Sequence, residues 1–189
     1  MNKIILIPAF ILMVLLQLYF PAQMITRKEA ILSGGKEYKF RTAPIDPNDP
    51  FRGKYIILSF EANSMHIANA EAWNAGDPVF VILGEDEKGF VKINAVSKDK
   101  PVDDDNFVKA SIGYVVPDTI SYVTLEYPFD RFYMEESKAQ GAQDAYGEAA
   151  RDSNQVAYAL VSIKNGDAVI KDVMINDVPI REVVKKARQ

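Results

Sequence analysis

The chain is 189 residues long, 48% hydrophobic and 25% charged, with a net charge of −4. It has no cysteine and a single histidine, His66. This excludes disulfides, thiolate metal sites and a cysteine nucleophile, and leaves a serine–histidine–aspartate triad or a zinc site short of partners. Lys3, Arg27, Lys28 and Glu29 are the only charges among residues 1–30, so the rest carries 19 basic and 25 acidic side chains, net −6, a poor match to nucleic acid or to an anionic lipid surface.

The first element is apolar. Residues 4–26 (IILIPAFILMVLLQLYFPAQMIT) contain no charged side chain. A helix of about 20 such residues crosses the roughly 30 Å core of a bilayer. A cleaved signal peptide is the competing reading, but a cut after Ala22 would put bulky Phe20 where a small residue is wanted. We read residues 1–28 as an uncleaved anchor, with residues 4–26 in the bilayer. The short N-terminal tail then stays inside, and the rest lies on the extracytoplasmic side of the inner membrane. Pro8 falls in the first turns of the span, where a missing donor costs least.

Residues 29–35 (EAILSGG) read as a linker, broken by Ser33-Gly34-Gly35. Residues 36–189 are one domain's worth of chain. Period-two patterning then dominates. EYKFRT (37–42) alternates Tyr38 and Phe40 with charged residues. KYIILSFE (54–61) is apolar on both faces, which predicts a central buried strand. SMHIANAEAWNAG (64–76) is alanine-rich and reads as a short helix holding His66, with no motif around that histidine. Residues 78–96 predict a hairpin around a charged turn, 98–106 an exposed loop, and 107–116 and 121–127 two further strands.

The period then changes. SKAQGAQDAYGEAAR (137–151) puts Ala139, Ala142, Tyr146 and Ala149 on one helical stripe, with Ser137 and Gln140 as a capping box. Gly141 and Gly147 weaken such a helix by about 1 kcal/mol each relative to alanine, so packing must hold it. Residues 156–175 predict a hairpin turning at Asn165-Gly166. IREVVKKA (180–187) spaces Ile180, Val183, Val184 and Ala187 as a last helix. The expected class is α+β, mainly β: an antiparallel sheet or partly open barrel with two or three short helices, plus the N-terminal transmembrane helix.

The densest unusual stretch is PIDPNDPFRGKYIILSFE (44–61). Pro44, Pro47 and Pro50 stiffen it, Asp46 and Asp49 suit turns, and Gly53 permits a close approach. Here the chain resembles the bacterial GDYXXLXY family, named for Gly-Asp-Tyr-x-x-Leu-x-Tyr and usually preceded by Asp-Pro and Arg. Asp46, Pro47, Arg52, Gly53, Tyr55 and Leu58 match. Lys54 replaces the motif's Asp, and Phe60 its last Tyr. DRFYMEE (130–136) resembles the family's aromatic-x-x-Glu segment before a helix. The resemblance implies a membrane-anchored, mostly β exported domain that accompanies multi-pass membrane proteins. It implies no activity.

The candidate binding residues are therefore Asp46, Arg52, Gly53, Tyr55, Leu58, Arg131 and Glu135. An enzyme reading would use Asp46 or Asp49 with Glu135 or Glu136 as a carboxylate pair cleaving an envelope polymer, with the two groups about 5 to 9.5 Å apart. No cofactor is expected. VDDDN (102–106) lacks the spacing of a calcium loop, so no metal is expected either. Tyr127, Phe129, Phe132 and Tyr133 form an aromatic cluster that either closes the core or meets a partner. The expected role is a non-enzymatic accessory protein of the envelope, bound to the bilayer and to a multi-pass membrane protein.

Overall fold

The computed structural model describes residues 3–43, 55–102, 104–118, 120–152 and 154–187. Its first element is one helix, α1 (Lys3–Gly34). At 1.5 Å per residue its 32 residues reach about 48 Å. It is long and apolar enough to cross a membrane, and none of its most apolar window is covered by the rest of the chain.

Residues 29–34, expected as part of a linker, are helical instead. The helix stops at the glycine pair, where Gly35 N–H donates to Ile31 O at 2.8 Å. Its last turns are docked. Ile31 is buried, the Ser162 hydroxyl donates to Ile31 O at 2.7 Å, and Arg27 pairs with Asp167. Packing thus overrides the breaking tendency of Ser33-Gly34.

Twelve strands follow among the described residues. One sheet has the order β12 (Val178–Pro179), β11 (Asp167–Ile175), β10 (Ala157–Lys164), β1 (Lys36–Ala43), β3 (Ser59–Phe60). The other has β4 (Ser64–His66), β8 (Tyr122–Glu126), β7 (Phe107–Val116), β5 (Pro78–Glu85), β6 (Val91–Ser97). Every named pairing is antiparallel. Two parallel bridges, Lys39 with Phe90 and Val108 with Gly166, join the sheets into a nearly closed barrel. Alternation puts Tyr38, Phe40 and Thr42 of β1 inward; Tyr38 and Phe40 share the core with Val81, Val108, Val123, Val161 and Val173.

The hairpin turn Asn165-Gly166 forms as expected, both residues at positive φ (54° and 81°). Helix α2 (Glu136–Arg151) buries Ala142, Tyr146 and Ala149. Its cap is Glu135, two residues before the Ser137 of the capping-box reading, and it makes no side-chain cap hydrogen bond. Gly141 lets it approach α3 (Ile180–Ala187): a Cβ there would stand 3.3 Å from Val184 Cγ1.

Two sequence expectations need correction. The short helix over 64–76 is absent: residues 64–66 form β4, paired to β8, and only a single 3-10 turn (Ala70–Ala72) follows. No residue of that turn is buried, so no apolar stripe recommends a helix over pairing. The single strand at 54–61 is also absent. Tyr55–Ile57 forms β2 and pairs with β9 (Arg131–Tyr133), while Ser59–Phe60 pairs with β1. The chain changes partner at Leu58, whose N–H donates to Asp130 O at 2.8 Å.

Candidate functional site

Of the signature residues, Asp46, Asp49, Arg52 and Gly53 lie outside the described residues, as does Lys54. What the structure does show is where the signature strand goes. In β2, Tyr55 faces Tyr133, Ile56 faces Phe132 and Ile57 faces Arg131 in antiparallel register. Residues 55–57 and 131–133, drawn from the two segments that carry the family resemblance, are therefore hydrogen-bonded neighbours. Arg131 is next to the signature strand. Glu135 caps α2 and forms an ion pair with Lys138. The geometry of a carboxylate pair involving Asp46 or Asp49 falls outside the described residues.

The matching residue Leu58 is core, 4% exposed, and so is Phe60. Phe60 replaces the motif's final tyrosine at a place where a ring is what the fold uses. It packs edge-on to Phe40 (centroids 5.4 Å apart) and to Tyr127 (5.9 Å), and at 5.5 Å from Phe129. Such ring pairs add about 0.5–1.5 kcal/mol each beyond their buried area. Tyr127, Phe129 and Phe132 are buried, so three members of the aromatic cluster at 127–133 close the core. Tyr133 alone is exposed, at 62%. The cluster thus divides into a structural part and one outward ring beside the signature strand.

A cleft of about 410 Å³ opens where β3, β8 and the β8–β9 connection meet, lined by Leu58, Phe60, Asn63, Glu126, Tyr127 and Asp130 among others. The Tyr127 hydroxyl donates to Ala62 O at 2.7 Å. Burial pushes its phenol well above the ordinary value, so it stays a donor at any physiological pH. Asp130 lies 3.6 Å from the Arg131 guanidinium. Asn63, Glu126 and Asp130 were not among the residues singled out from sequence. Asn63 and Glu126 lie outside both resembling segments, Asp130 opens the second, and the partner change at Leu58 brings all three to the signature strand.

The remaining polar candidates have structural partners. Asp104 accepts from the Asn106 backbone and side-chain nitrogens at 2.7 and 2.8 Å. Asn106 Oδ1 in turn accepts from Lys36 and from the Tyr38 hydroxyl. His66 is exposed on β4, edge-on to Tyr122 at 6.5 Å. Among the described residues no group of three or more histidines or carboxylates is placed to hold a metal ion.

A family model described as "GDYXXLXY protein" matches residues 17–173, most of the chain. The match begins inside α1 and so takes in the helix–domain junction. No curated protein and no solved structure matches.

Proposed function

The chain belongs to the GDYXXLXY family, and from that premise we propose that it is a non-enzymatic accessory protein of the bacterial envelope, held by α1 as a single-pass anchor in the inner membrane. Residues 36–189 lie on the extracytoplasmic side, where they hold a multi-pass membrane protein. The observation that carries this reading is the junction between α1 and the barrel. A protein that merely needed tethering would need only a flexible linker. Here the apolar stretch ends at Thr26, and Arg27 is already paired to Asp167 of β11. The bilayer surface then lies at the β10–β11 turn. Arg27, Lys28 and Lys164 sit at the level where cations favour the headgroups. A domain fixed at one height and one orientation is suited to meeting a neighbour in the same membrane.

The contact surface is the β2–β9 ribbon with exposed Tyr133, since a half-wet aromatic ring is a favoured interface group. The test is a photo-reactive phenylalanine analogue in place of Tyr133, crosslinked in membranes from cells making the full chain. One reproducible multi-spanning protein attached at that position supports the reading. Attachment to lipid alone, or to nothing, contradicts it.

A further inference from the structure

We propose a second contact, inside the bilayer: the Gln17 face of α1 packs against a transmembrane helix of the multi-pass partner, one that ends at the outer bilayer surface beneath the barrel and carries a hydrogen-bonding side chain near the midplane. The contact rests on the accessory role proposed above.

The span is polar at one depth. Gln17 lies nine residues before Thr26, the end of the uncharged stretch. At 1.5 Å per residue that is about 14 Å, close to the midplane of a hydrocarbon core roughly 30 Å thick. The other amide of the stretch, Gln23, lies near its edge. Gln17 is exposed, and its side chain makes no hydrogen bond among the described residues. The barrel covers none of the most apolar window of the helix. Hydrocarbon has no water to replace the missing partner, so a lone amide there is costly.

Pro21 adds a second unmet group at the same residue. It lies inside α1, four residues after Gln17. Proline has no N–H, so the helical bond from residue 21 to the carbonyl of residue 17 cannot form. Gln17 thus presents two amide N–H donors and two acceptors, its side-chain oxygen and its backbone carbonyl. Lipid satisfies none of them. A helix with an amide or hydroxyl side chain at that depth does, and such bonds join helices in membranes. Phe10, Met13, Phe20 and Met24 flank Gln17 at heptad spacing and are all exposed, an apolar seam with one polar residue at its centre. A polar residue so placed fixes the register of two helices.

The position of the barrel selects the partner. Gln17 and Ile31 are 14 residues apart, about 40° round the helix at 100° per residue. Ile31 is buried, with Ser162 bonded to its carbonyl, so the barrel docks on the side of α1 that carries Gln17. The helix continues from Thr26 to Gly34, about 12 Å beyond the uncharged stretch. A parallel second copy of α1 laid along the Gln17 face would run into the docked barrel over that length. A helix that stops at the bilayer surface fits beneath it. The occupant is therefore a helix of another membrane protein rather than a second copy of this chain.

The test places a photo-reactive phenylalanine analogue at Met24, on the Gln17 face, or at Thr26, at nearly the same depth and about 180° from Gln17. The full chain is crosslinked in membranes from the cells that make it. The expected product is one multi-spanning protein attached at Met24 and absent at Thr26, the same protein that position 133 captures. Gln17→Leu should lower the yield at Met24 about threefold or more, and Gln17→Asn, which keeps the amide, should retain most of it. Both variants leave the barrel untouched. An adduct of twice the chain's mass would overturn the proposal in favour of a second copy. So would lipid as the only product at Met24, equal yields at Met24 and Thr26, or a yield that Gln17→Leu leaves unchanged. Capture at position 133 without capture at Met24 refutes the helix contact alone, and capture at neither refutes the accessory role as well.

Discussion

The hydroxyl of Ser162, near the C-terminal end of β10, donates to the carbonyl of Ile31, near the end of the membrane-competent helix, at 2.7 Å. The two residues are 131 positions apart in sequence. Both are buried. Ile31 O also accepts from Gly35 N–H, so one carbonyl ends the helix and joins it to the sheet. The Ile31 carbonyl thus uses both of its lone pairs, one for the last helical-type bond and one for a strand side chain.

Ser162→Ala removes that donor without changing the strand. A buried hydrogen bond is worth about 1 kcal/mol net. For a domain of this size that lowers Tm by about 2–4 °C. The loss should be accompanied by faster amide exchange at Gly35, while exchange in β7 and β8 is unchanged. Differential scanning and hydrogen exchange in micelles check both halves.

Gly35→Ala should be worse. A Cβ on Gly35 would stand 2.4 Å from Ser162 Oγ and 2.5 Å from Ile31 O. The second atom is backbone and cannot swing away, so the helix must lift from the sheet. The expected destabilisation is about 1–3 kcal/mol, the range for overpacking a filled site. Chemical denaturation of the two variants side by side would show the order.

The junction also carries a pH dependence. Partial burial of Asp167 opposes its charge, but hydrogen bonds and attraction from Lys109 and Arg27 prevail and hold its carboxyl below the ordinary aspartate value. A depressed folded-state pKa gives stability that is present above the unfolded value, near 4, and is lost as pH falls through the folded one. Docking of α1 should therefore hold at neutral pH and loosen below about pH 4. Asp167→Asn should show the loosened exchange at the helix end already at pH 7, and lose the acid step.

The aromatic cluster gives a prediction about the core. Phe129→Ala opens a hole beside Phe40, Phe60 and Tyr127, whose centroids lie 5.1–5.5 Å from its own. The cost is about 3–5 kcal/mol. Tyr133→Ser, by contrast, removes an exposed ring. It should cost far less than Phe129→Ala and weaken the membrane partner contact. Thermal unfolding and co-purification separate the two.

What the sequence disclosed depended on how local the cause was. Asn165-Gly166 announces its hairpin because two successive positive φ angles are a property of those two residues. The stripe of Ile180, Val183 and Val184 likewise predicts α3, where Ile180 and Val184 are buried. The split of 54–61 into two short strands had no local signal. Its pattern fits one strand equally well, and the break arises because Asp130, 72 residues away, takes the Leu58 N–H. The docking of residues 29–34 was hidden for the same reason: Ser33-Gly34-Gly35 reads as a break until Ser162 and Asp167 are brought against it. The candidate site was half visible. The motif named Tyr55 and Leu58, but the pairing of β2 with β9 and the carboxylates of Glu126 and Asp130 beside it follow from the fold.

The account turns on α1 and the barrel being one rigid body, and a single distance measurement tests this most directly. The chain has no cysteine, so spin labels at Lys28→Cys and Lys92→Cys sit on exposed positions of α1 and β6 with no background. Pulsed dipolar spectroscopy in nanodiscs should give one narrow distance distribution, no wider than that of a label pair within the barrel at Lys92→Cys and Tyr114→Cys. A distribution markedly broader than the internal pair would mean a free linker at 29–35, and would contradict the fixed presentation on which the accessory role depends.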